Sequence, residues 1–245
     1  MSWEYSYAAV VILGAGVIRG YSGFGFAMIS AITLSFILPP SQVTPVILCL
    51  DVAASSWLFY KVRQSVDWKG LKLIAFGAFP ALPLGTLALV MVPANKMRIF
   101  ISLVVICLCI GLLWGKKRLE SPRPAATVGV GILSGFLSGM AAIGGPPVIL
   151  FYFSSDKSVS VSRASMIAFF LVIDGLAIAS SLYYGLMDRQ TLRLSMGLFI
   201  PLIIGIWIGH FLFGKFSNDA IFRRQAIFLL MAIALVSLVK SSFAP

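Results

Sequence analysis

Long apolar runs separated by short polar and basic stretches set the pattern of this chain. Leu71 to Val92, Ile99 to Trp114 and Ile221 to Val239 carry almost no charge inside them. A helix needs roughly 20 apolar residues to cross about 30 Å of hydrocarbon, and these runs approach or meet that length. A closed barrel, the other structure that satisfies its own backbone in lipid, alternates polar and apolar residues. These runs are continuous. The pattern therefore predicts an all-α polytopic membrane protein.

The runs fall into two similar halves, 1–114 and 126–245, joined by a basic linker at 115–125 that Pro122 and Pro124 interrupt. Each half opens with a glycine-interrupted apolar stretch and continues with a helix that holds one acid near its middle, Asp51 or Asp174. Each then has an acid in a short loop (Asp67, Asp188), a helix with an internal proline (Pro80, Pro201) and a last helix starting at an arginine (Arg98, Arg223). Matched positions stay 121 to 125 residues apart, as a duplicated unit would leave them.

The opening stretches have an awkward length. Tyr7 to Leu38 is 32 residues, about 48 Å as a helix, too long for one crossing and short for two. Ala126 to Phe153 poses the same problem. Glycines in the middle predict two short half-helices folded into a hairpin, since irregular backbone at membrane depth persists only where protein or a wet cavity surrounds it. With hairpins, 13 of the 19 Lys and Arg gather in the loops at 61–72, 115–123, 154–163 and 215–224, on one side. Cytoplasmic loops are marked by such an excess. The expected architecture is thus two inverted repeats, each a glycine-broken helical hairpin plus three transmembrane helices. The linker would lie inside and both termini outside a bacterial inner membrane.

Composition narrows the function. With 60% hydrophobic and 11% charged residues, the chain cannot cover a water-facing surface. A net charge of +11 is dispersed in the loops, so nucleic acid is not an expected partner. Membrane lipid is, and a homodimer is allowed for. Cys49, Cys107 and Cys109 lie in apolar runs without metal-ligand spacing and read as small core-packing residues. No metal or cofactor is expected. No Gly-x-x-x-x-Gly-Lys-[Ser/Thr] loop is present, which argues against ATP-driven transport, and nothing suggests an intramembrane enzyme. His210 and Trp3, Trp68 and Trp114 sit near the ends of apolar runs, as interfacial residues do.

Gly20-Tyr-Ser-Gly-Phe-Gly25 with the later Pro39-Pro40, and Gly135-Phe-Leu-Ser-Gly-Met-Ala-Ala-Ile-Gly-Gly-Pro-Pro147, resemble the TauE/SafE sulfite-exporter family of anion transporters, and the repeat pattern extends the likeness over the chain. The resemblance implies transport of sulfite, sulfonates, sulfoacetate or related organic anions. Phe24, Phe26 and Ala27 stand where members carry a fuller glycine cluster and a proline, so close backbone approach to a substrate is expected mainly in the second half.

Two acids and one arginine are the chemical candidates. A charge at mid-membrane costs at least about 2.5–3.5 kcal/mol, so Asp51 and Asp174 are expected to carry protons that couple transport to a pH gradient. Structural hydrogen bonding between helices is the competing reading. Arg19, just before the first break, can fork an oxyanion; the alternatives are pairing with Asp51 or snorkelling to the interface. Helix N-termini at the breaks add N–H donors, so Gly20, Ser22, Gly23, Gly25, Ser138, Gly139, Gly144, Gly145 and Pro146 complete the expected substrate-binding set. Gly144-Gly145-Pro146-Pro147 reads as a hinge or cradle, its glycines supplying unusual dihedrals, and Arg163 as a loop anchor. The expected function is a proton-coupled secondary transporter of small anions working by alternating access. A passive anion channel or an assembly subunit is the alternative.

Overall fold

The apolar runs become helices whose starts the sequence marks. The computed structural model describes residues 2–114, 123–215 and 235; Arg223, the Ile221 to Val239 run apart from Leu235, and linker residues 115–122 lie outside the described residues. Helix α1 covers Ser2–Ser22, α2 Phe26–Leu34 and α3 Pro40–Val62, which a 3₁₀ turn at Arg63–Ser65 extends. The first half continues with α4, Trp68–Met91, and α5, Ala94–Trp114. The second half has α6 at Pro124–Ala141, α7 at Gly145–Ser154, α8 at Val159–Tyr183 and α9 at Arg189–Lys215. Proline opens α3, α6 and α7, where its missing N–H costs nothing. The two loop acids act as N-caps: Asp67 accepts from Gly70 N–H at 3.3 Å before α4, and Asp188 from Thr191 N–H at 2.7 Å before α9. The N–H of Thr191 holds the exposed Asp188 carboxyl below the usual carboxylate range.

Five of these helices are long and apolar enough to cross a membrane: Pro40–Ser65, Trp68–Met91, Pro124–Ala141, Ser160–Tyr183 and Arg189–Leu212. Large side chains lie outward along them. On α9, Met196, Ile200, Trp207 and Phe211 form one exposed stripe at helical spacing, a face suited to hydrocarbon rather than water. Trp3 and Trp68 are exposed at the starts of α1 and α4.

Small residues decide which helices meet. Helix α1 lies along α9, and α4 along α6. A Cβ at Gly131, Gly135 or Gly139 would strike the carbonyl oxygens of Ile74, Ala78 and Leu82 in turn. Residue numbers rise together across that contact, so α4 and α6 run parallel. At the other pair, Gly205 meets Leu13 and Gly209 meets Val17, and Tyr5 Oη donates to Gly197 O at 2.6 Å; these helices are parallel too. Backbones that touch through glycine pack closely in lipid, where no hydrophobic force joins helices. Between these pairs α3 packs against α8. Lys157, in the α7–α8 connection, pairs with Asp67 at 3.4 Å, and Asp67 N–H donates to Ser165 Oγ at 2.8 Å.

The opening stretches break in their glycine-rich centres, but into unequal arms. The first arms, α1 and α6, have 21 and 18 residues; the second arms, α2 and α7, have 9 and 10. The expected pair of short half-helices is therefore corrected to one long arm and one short. The long arms follow their parallel partners α9 and α4, and that packing extends the helix beyond a half-crossing. Two other expectations change. Helix α6 begins at Pro124, so the linker's last two residues are helical. Cys107 is exposed on α5 and Cys49 only half-buried, so neither is a fully buried core residue; the Cys109 side chain lies outside the described residues.

Candidate functional site

Both breaks come to one place. A cavity is lined by Arg19 at the end of α1, Gly25, Ala27 and Met28 at the first break, and Ala142, Gly145 and Ile149 at the second. Asp51 of α3 and Phe170 of α8 close it. Its free volume of about 10 Å³ holds about one water molecule. All of these lining residues are buried.

The first break turns on Gly23 and Gly25, at φ +79° and +90°, a region that side chains with a Cβ enter at a cost. At the second break the left-handed residue is Ala142, φ +58°. Gly144 instead has α-helical dihedrals, φ −71° and ψ −5°. The expectation of unusual dihedrals at Gly144 is thereby corrected: glycine is needed there for space, because a Cβ would strike Ser138 Oγ and lie 2.5 Å from Ser134 O. At Gly145 a Cβ would stand 3.0 Å from the Phe170 ring. Pro146 and Pro147 open α7 without N–H groups, whereas α2 opens with Phe26, Ala27 and Met28, which all have them. The free donors of a helix N-terminus thus lie mainly at the first break.

Arg19 is buried, with 1% of its surface exposed. Its Nη2 lies 2.9 Å from Asp51 Oδ1 and donates to Ser55 Oγ at 2.5 Å, while Nη1 donates to Gly23 O at 2.8 Å. The guanidinium lies over the Phe170 ring, 4.5 Å from its centroid, a cation–π contact. Its Nε has no hydrogen-bond partner among the described residues. Asp51 and Asp174 are equally buried and their carboxyl groups lie close together. Two ionised carboxylates offer only acceptors, so a hydrogen bond between them would need a proton. Arg163 reaches from α8 to the carbonyl of Gly20 at 2.9 Å and holds the first break against α8, an anchor as expected, though to the break itself.

Of the expected set, the structure brings Arg19, Gly25, Gly145, Asp51 and, through Asp51, Asp174 together. Gly23 contributes its carbonyl, and Gly144 and Pro146 begin α7. Gly20 and Gly139 lie at helix crossings, facing Ile206 and Leu82. Ser138 stands behind Gly144, and the Ser22 side chain lies outside the described residues. Ser55 and Phe170 were not anticipated. Each is one helical turn from an acid, Ser55 after Asp51 and Phe170 before Asp174, so the spacing of one face could have pointed to them. Among the described residues no cluster of His, Cys, Asp and Glu could hold a metal ion.

Comparison with known proteins gives a family. The family described as sulfite exporter TauE/SafE matches residues 8–237. A protein of Cupriavidus necator named "Probable sulfite/organosulfonate exporter TauE" is 28% identical over 233 residues, covering 91% of this chain and 89% of that protein. No solved structure matches.

Proposed function

The chain belongs to the sulfite exporter TauE/SafE family, and from that premise we propose that it is a secondary active transporter moving a small sulfur-containing anion, sulfite or an organosulfonate, together with a proton. One observation carries this reading: a buried arginine and two adjacent buried carboxyl groups meet beside a small cavity between two helix breaks. Arg19 supplies a permanent positive charge with fork geometry. The first N–H groups of α2 add donors and the positive end of a helix dipole. Asp51 and Asp174 provide a site where a proton can travel with the anion.

The two halves act as inverted repeats in this reading. Support comes from the exchange of partners between matched helices: α1 lies with α9, α4 with α6, and the acid-bearing α3 and α8 lie together. Since α6 runs parallel to α4, and α7 leads to Lys157 beside Asp67 at the start of α4, the α6–α7 hairpin enters and leaves on one face. By the same reasoning α1, parallel to α9, starts on the opposite face. The positively charged loops put the face with Asp67 in the cytoplasm and the amino terminus outside. A second cavity of about 150 Å³, bounded by Glu4, Tyr5, Leu38 and Gln190, opens toward the outer face.

Purified protein in proteoliposomes tests this. Under an imposed pH gradient the parent should accumulate sulfite or a sulfonate. Asp174→Asn should abolish accumulation while leaving exchange of anion across the membrane. Equal accumulation by Asp174→Asn and the parent would remove proton coupling through this pair.

A further inference from the structure

The seat proposed for the substrate already holds an anion of the protein's own. We infer that the Asp51 carboxylate is an internal competitor of the transported anion: an incoming oxyanion displaces it from Arg19 and thereby draws one proton onto the Asp51–Asp174 pair. This rests on reading the Arg19 cavity as the anion site.

The geometry of the guanidinium carries the argument. An oxyanion bound by a fork needs two nitrogens of one edge. Nη1 gives one of its hydrogens to Gly23 O, and the edge formed by Nε and Nη2 is the one that carries an unpartnered donor. On that edge Nε has no hydrogen-bond partner among the described residues, and Nη2, which donates to Ser55 Oγ, also faces Asp51 Oδ1 at 2.9 Å. Free space of about 10 Å³ admits a water but not an oxyanion beside the carboxylate. Anion and Asp51 must therefore exclude one another.

Charge balance sets the number of protons taken up. With the seat empty, Arg19 is positive, Asp51 negative and Asp174 holds the shared proton. When a monoanion takes the arginine, Asp51 loses its counter-charge in a buried site, a state that is strongly unfavourable unless neutralised. One proton bound to Asp51 restores the starting net charge. The groups that act on the carboxyl pair are Arg19 from α1 and the two acids themselves; Arg163 on α8 bears on Arg19. Helices α2 and α7 bring no acidic or basic residue. His210 of α9 packs edge-on to Trp57, Lys61 of α3 covers that same ring, and Cys49 of α3 is directed to Ser195 of α9.

The probe is methanesulfonate, which stays ionised across the working pH range. Calorimetric titration of the parent in two buffers of different ionisation heat should show about one proton taken up per anion, with affinity rising about tenfold for each unit the pH falls. Asp51→Asn should take up none, lose the pH dependence and bind about tenfold tighter at neutral pH, as expected if the carboxylate holds the seat in about nine molecules of ten. Parent binding without proton uptake, or an Asp51→Asn affinity no tighter than the parent's, overturns the inference. Should Asp51→Asn not fold, the parent's proton count decides alone. Arg19→Met separates the two readings: undiminished binding there removes the site itself. Lost binding in Arg19→Met with no proton uptake by the parent removes only the competitor. A parent that binds neither methanesulfonate nor sulfite overturns both.

Discussion

The α4–α6 crossing offers a test whose size can be worked from interatomic distances. In Gly135→Ala the new Cβ would stand 2.6 Å from Ala78 Cα and 2.7 Å from Ala78 C, besides striking Ala78 O. Ordinary carbon contacts are about 3.5–4.0 Å, so the helices must part by about 1 Å, and such a gap forfeits a quarter to a half of each contact's attraction. Overpacking of this kind costs about 1–3 kcal/mol. Alanine also gains up to about 1 kcal/mol over glycine within a helix, which blurs the single measurement. Gly129→Ala, on the same helix with nothing within 4 Å of its Cβ, receives that gain without the clash. The difference between the variants isolates packing and should be about 1–3 kcal/mol, with Gly135→Ala the less stable. Thermal or SDS-induced unfolding in micelles reads it. If the two variants unfold together, α4 and α6 do not touch through Gly135 and the close-packed account of this fold fails.

Three further outcomes are expected. Asp51→Asn strands a buried guanidinium and should cost about 3–5 kcal/mol, whereas Arg19→Met leaves carboxyls that can hold protons; the asparagine variant should therefore melt at the lower temperature. Asp67→Ala removes the N-cap of α4 and the Lys157 pairing and should lower stability by about 1 kcal/mol, measured by the same unfolding. For Asp188, the carboxyl sits below its ordinary value of 3.8, so the folded state binds fewer protons there than the unfolded one. Its contribution is complete above that value and fades as pH falls through the lower folded one. Melting temperatures of Asp188→Asn and the parent should accordingly converge in acid and separate toward neutral pH; a gap that persists unchanged in acid would refute the assignment.

Much was legible before any tertiary contact was considered. Continuous apolar runs near 20 residues dictate helices, because only a helix satisfies its backbone within one segment in lipid. Asp67 and Asp188, 121 residues apart, announced two matched helix starts, and a cap acts over three residues. Glycine clusters placed both breaks, and the rarity of mid-helix acids singled out Asp51 and Asp174. All of this is local or periodic, and one chain segment suffices to express it.

Tertiary structure decided the rest, because each remaining answer depends on which distant faces meet. Gly20 and Gly25 look alike in sequence; packing of α1 on α9 sets Gly20 against Ile206 and leaves Gly25 at the cavity. The length of α1 and α6 came from parallel partners more than 50 residues away in sequence, which reward a longer helix than the breaks alone suggest. Arg19 had three readings, and only the approach of α3 and α8 placed Asp51 beside its guanidinium and Phe170 against its face. A helical period tells which residues share a face, but not what that face touches.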